Sequence, residues 1–120
     1  MLVKLESLRL DGPDLTMLPT DNNGNSFRGD IPTELGNLVD LVELRMTQNE
    51  LGGTIPSTLG NLKKIVDLRL GVNRLTGQVP SELGYLDQLV DLDLYYNYLS
   101  GTIPSALGNL ASLEDMYLDV

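Results

Sequence analysis

Carboxylates and guanidiniums recur along this chain at matched positions, and they are its most chemically capable groups. Ser7, Glu43, Asp67, Asp91 and Asp115 form one series; Arg9, Arg45, Arg69, Asp93 and Tyr117 form a second, two residues further on. Neighbouring carboxylates such as Asp91 and Asp93 could serve glycoside hydrolysis, in which one acid holds a proton while its partner stays ionised. That division of roles needs burial to drive the two pKa values apart, and a short strand on a shallow open sheet promises little of it. Three arginines at one offset could instead grip carboxylates through forked hydrogen bonds. Tyr95, Tyr96 and Tyr117 add large aromatic area with few torsions to immobilise, as contact surfaces require. The 120 residues include no Cys and no His, which removes disulfides, Cys or His metal sites, the Ser-His-Asp triad and Cys-His nucleophiles. The expectation is no enzyme, with no catalytic residue, no cofactor and no metal.

Charge narrows the partners further. Seventeen acidic against eight basic residues leave a net charge of −9, so polyanions such as nucleic acid and anionic membranes are repelled. No apolar run is long enough for a membrane-spanning helix, and the opening MLVKLESLRLDG lacks the apolar stretch of a signal peptide. Asp11, Asp14, Asp21, Asn23 and Asn25 cluster in a way that could suggest a Ca²⁺ loop. A loop of the EF-hand type starting at Asp21 would need Gly where Ser26 stands and Glu where Pro32 stands, so the match fails.

Placing these residues at matched positions takes an element that repeats. Leu38, Leu62, Leu86 and Leu110 open near-identical segments 24 residues apart, the signature of stacked repeats. Three full copies read LVDLVELRMTQNELGGTIPSTLGN, LKKIVDLRLGVNRLTGQVPSELGY and LDQLVDLDLYYNYLSGTIPSALGN, and a half copy, LASLEDMYLDV, closes the sequence. The opening copy is longer, with an insertion over residues 13–24. The spacing of Leu41, Leu44 and Met46 passes from three to two, which marks a turn entering a short strand. Leu44 and Met46 then face a core while Glu43 and Arg45 face out. Asn49, Asn73 and Asn97 follow three residues later, where a side-chain amide can tolerate a sharp bend and satisfy backbone groups buried by it. Gly53, Gly77 and Gly101 suit a backbone angle costly for other residues. Ile-Pro or Val-Pro pairs end strand pairing, and Gly36, Gly60, Gly84 and Gly108 are read as releasing the chain into the next turn.

The pattern LxxLxxLxLxxNxLxGxIPxxLGN resembles the plant-specific class of leucine-rich repeat, found in ectodomains of receptor-like kinases and in inhibitors of cell-wall-degrading enzymes. The resemblance spans everything except the insertion. It implies an α/β-type repeat solenoid: a right-handed arc with a concave parallel β-sheet and convex 3₁₀ turns or short second strands. It also implies protein or peptide binding on the concave and lateral faces, and an extracellular setting. Against that setting, the chain lacks the family's Cys-paired caps and has no Asn-x-Ser/Thr sequon; the compartment is left unassigned.

Residues 1–120 are read as one domain of about five repeats, the last incomplete, belonging to a longer array. Stacking at about 4.8 Å turns matched positions into columns, so Asp67, Asp91 and Asp93 stand beside Arg9, Arg45 and Arg69, with Tyr95, Tyr96 and Tyr117 toward the C-terminal third. Two readings of the arginines stay open: neutralisation by neighbouring acids, or capture of a partner's carboxylates. Two functions follow. The first is a recognition module binding protein or peptide through the concave face. The second is a structural subunit of a larger assembly, docked or self-stacked through uncapped ends and the 13–24 insertion. A third option, ice or polysaccharide binding on the convex face, is disfavoured because the columns Asp30, Thr54, Gln78, Thr102 and Thr33, Ser57, Ser81, Ser105 are not uniform.

Overall fold

The computed structural model describes residues 4–12 and 27–119, so the 13–24 insertion, with the acidic residues of the candidate Ca²⁺ loop beyond Asp11, lies outside the described residues. Five three-residue strands, β1 (Ser7–Arg9), β3 (Glu43–Arg45), β5 (Asp67–Arg69), β7 (Asp91–Asp93) and β9 (Asp115–Tyr117), form one parallel sheet in chain order. Register is in step with the repeat: Leu44 pairs with Leu68, Leu68 with Leu92, and Leu92 with Met116. The ladder extends past each short strand, as Met46 N–H donates to the Arg69 carbonyl at 2.8 Å and Leu70 N–H to the Asp93 carbonyl at 2.7 Å. Between these come β2 (Arg28–Asp30), β4 (Glu50–Gly52), β6 (Thr76–Gly77) and β8 (Tyr98–Leu99), which pair as two small parallel sheets, β2 with β4 and β6 with β8. Here the register is offset from the repeat by two residues, Gly77 lying opposite Leu99 and not Gly101.

Four 3₁₀ turns, Thr33–Asn37, Ser57–Asn61, Ser81–Tyr85 and Ser105–Asn109, stack on the convex side. A proline precedes each turn, and its fixed φ suits a helical start. The architecture is therefore the expected solenoid, with both the convex turns and the short second strands. Between the concave sheet and the turns, Leu44, Leu68, Leu92, Leu59, Leu83 and Ile65 are fully buried. Full burial of each stabilises by roughly 1.5–3 kcal/mol.

Two local expectations are revised. Gly36, Gly60 and Gly84 are explained by close packing: a Cβ on Gly60 would lie 2.5 Å from the Glu82 carbonyl oxygen of the next turn, and one on Gly84 2.5 Å from that of Ala106, whereas one on Gly108 would meet nothing within 4 Å. The bend before each ladder Asn falls one residue early, on Gln48, Val72 and Tyr96, which all have φ between +55° and +58°. Gly53, Gly77 and Gly101 do take positive φ, as expected.

Each Asn ties its own level to the one before it. Asn73 Nδ2 donates to the carbonyls of Met46 at 2.9 Å and Leu70 at 3.0 Å, while its Oδ1 accepts the Leu51 N–H at 3.1 Å. Asn49 and Asn97 do the same one repeat to either side.

Candidate recognition surface on the concave sheet

Strand alternation puts the residues at positions 43, 45, 67, 69, 91 and 93 on the outer face of the sheet, and parallel register sets them side by side. Ion pairs run across the strands like a zip. Arg9 grips Glu43 with two hydrogen bonds of 2.8 Å, and Ser7 Oγ donates to the same carboxylate at 2.7 Å. Arg45 lies between Glu43 at 2.8 Å and Asp67 at 2.6 Å. Arg69 bonds Asp67 at 3.0 Å and also Asp91. Hydrogen bonds from Arg9 and Ser7 hold the Glu43 carboxyl down to about 2. The arginines are thus engaged inside the chain, which supports the neutralisation reading over an open cationic stripe.

The alternation stops at β7. Where the series would place a fourth arginine stands Asp93, only 8% exposed. Its Oδ1 accepts the Tyr95 N–H at 3.2 Å, and no cation among the described residues lies within ion-pair distance of it. Burial pushes its carboxyl upward, aided by Asp91 and Asp67, while the Tyr95 N–H and the Arg69 charge work against the rise. Asp91 keeps one carboxylate oxygen, Oδ1, buried without a hydrogen-bond donor. The expectation that this sheet offers little burial is corrected at this point, because the neighbouring strands and Tyr95 cover Asp93.

Tyr95 is 42% exposed, Tyr117 54% and Tyr96 69%. Tyr117 lies opposite Asp93 in register, and the Tyr95 and Tyr96 rings meet edge-on at 6.4 Å. Beneath them the Asn97 amide and the Val72 N–H both bond the Tyr95 carbonyl, fixing this corner. One contributor escaped the sequence reading. Gly71, in the column between Thr47 and Tyr95, leaves the space that Asp93 and Tyr95 occupy: a Cβ there would stand 2.5 Å from Asp93 Oδ1 and 2.9 Å from the Tyr95 ring. Its place two residues after Arg69, in line with Thr47 and Tyr95, was the available signal. Among the described residues no cluster of acidic side chains could hold a metal ion, and no helix is long and apolar enough to cross a membrane.

Fold and surface define a stacked-repeat scaffold with an aromatic and acidic patch on its concave sheet. Residues 40–62 and 88–110 match the Leucine Rich Repeat family. The chain is similar to the LRR ectodomain of the plant membrane receptor kinase GASSHO1/SCHENGEN3 from Arabidopsis thaliana, solved with CASPARIAN STRIP INTEGRITY FACTOR 2: 44% identity, TM-score 0.75, covering 76% of this chain and 11% of that one. It is similar too to the Arabidopsis receptor kinase HAESA, solved with the peptide hormone IDA and the co-receptor SERK1, at 39% identity and TM-score 0.76 over 78% of this chain and 16% of that one. A plant ice-binding protein aligns at 39% identity and TM-score 0.73, over 77% of this chain and 30% of that one. No curated protein matches the chain. The chain folds as a leucine-rich repeat solenoid similar to those of plant receptor-kinase ectodomains, and it spans under a third of each of these three structures.

Proposed function

We propose that this chain is a recognition segment that binds a protein or peptide, and performs no catalysis, through the C-terminal part of its concave sheet. The observation that carries this reading is the exposed group of Tyr95, Tyr96 and Tyr117 on a rigid corner beside Asp93, which has no cation partner among the described residues, and Asp91, whose Oδ1 has no hydrogen-bond donor. Rigid aromatic anchors beside polar groups of one sign are what a binding hot spot is made of. HAESA, a similar structure, was solved with a bound peptide hormone, which supports the same class of partner. The convex columns that an ice-binding reading would need are chemically mixed, so the concave surface is the better candidate.

Peptide display tests the proposal. The chain should enrich a defined set from a random library, and Tyr95→Ala with Tyr117→Ala should lose those peptides by more than tenfold while melting at an unchanged temperature. No enrichment, or enrichment indifferent to both tyrosines, overturns it.

A further inference from the structure

We propose that Asp93 and Asp91 form a seat for an arginine side chain of the bound peptide, walled by Tyr95 and Tyr117; this rests on the recognition reading above. The repeat itself shows what the seat lacks. Glu43 is shared by Arg9 and Arg45, and Asp67 by Arg45 and Arg69, each carboxylate bonding one arginine of its own strand and one of the strand before. Asp91 has the arginine of the strand before, Arg69, and none of its own, because position 93 is Asp. The oxygen left over is Asp91 Oδ1, buried without a donor. A guanidinium arriving from outside would take the place of the missing arginine and supply that donor. Asp93 would face it on the same side of the strand.

Three further features fit this occupant. Asp93 is nine-tenths buried with no cation of the chain within reach among the described residues, an arrangement costly to a folded protein unless a charge of opposite sign comes to it. Gly71 lets the carboxylate settle into the sheet with the Tyr95 ring alongside. Tyr95 and Tyr117 are partly exposed, and the flat, weakly hydrated guanidinium suits a site made of carboxylates and aromatic faces better than an ammonium does. The chain's net charge of −9 favours the approach of a cationic ligand.

The test is an amide-shift titration of the ¹⁵N-labelled chain with N-acetyl-arginine methylamide, and with the neutral citrulline analogue of the same shape. The arginine probe should move the Gly71, Asp93 and Tyr95 amides saturably, with citrulline at least tenfold weaker. Asp93→Asn should weaken the arginine probe tenfold or more, and so should Gly71→Ala, whose methyl group displaces the carboxylate. Equal shifts with citrulline, or undiminished binding by Asp93→Asn in a folded chain, overturn the seat. If display-selected peptides bind Asp93→Asn as well as the parent, the seat falls while peptide recognition stands. If the arginine probe saturates these amides while display selects nothing, the seat stands and the recognition reading falls.

Discussion

Replacing Asn73 by Ala tests the asparagine ladder on which the concave corner rests. The Leu51 N–H, buried and bonded to Asn73 Oδ1 at 3.1 Å, would have no partner, at a cost of about 1–3 kcal/mol. The Met46 carbonyl would keep its bond from Asn49 at 3.1 Å and the Leu70 carbonyl its bond from Asn97 at 3.1 Å. Each therefore loses one of two donors, a further 0.5–1 kcal/mol or about that apiece. The expected loss is about 2–5 kcal/mol in urea unfolding. Asn73→Asp sharpens the test, since it keeps an acceptor for Leu51 but turns a carboxylate oxygen toward the two carbonyls. Such a group has a raised folded-state pKa, so the variant gains stability as pH falls and loses it as pH rises through that value. A loss below about 0.5 kcal/mol for Asn73→Ala, within the range of ordinary surface changes, would refute the ladder as a source of stability.

Three more outcomes follow from particular residues. The Glu43 carboxyl is lowered from 4.5 to about 2 by Arg9 and Ser7, so its contribution is present above pH 4.5 and is lost as pH falls toward 2; Glu43→Gln should flatten that limb of a urea-midpoint profile, and an unchanged limb contradicts it. Asp93 has the opposite sign. Its raised carboxyl pKa costs stability as pH rises, so Asp93→Asn should melt higher than the parent near neutral pH, with the gap closing in acid; a lower melting temperature near neutrality contradicts this. Val72 holds φ of +56° with a β-branched side chain, and Val72→Asn should raise the unfolding free energy by about 1 kcal/mol, a fall refuting the strain argument.

The period of 24 residues made the scaffold legible, because a leucine at a fixed offset has one place to go once copies stack. Leu44, Leu68 and Leu92 are buried as their spacing predicted, and the asparagines bond the backbone as their position after the strand implied. Surface pairing was harder to read. Whether Arg69 faces a partner or Asp91 depends on side-chain reach across strands, which columns suggest and cannot decide. Burial of Asp93 depends on Gly71 in the adjacent column, a joint property of residues 22 apart in sequence. The left-handed bend fell on Val72 and not on Asn73 because the Asn is held by its own side-chain bonds, while the turn is closed by the residue before it.

Where a display-selected peptide lands is the most direct test of the central claim. Amide hydrogen exchange, with and without that peptide, should show protection gathered on β5, β7 and β9 and on the segment from Tyr95 to Asn97. Protection confined to the convex turns at Ser57–Asn61, Ser81–Tyr85 and Ser105–Asn109 would contradict the account, and so would no protection at saturating peptide.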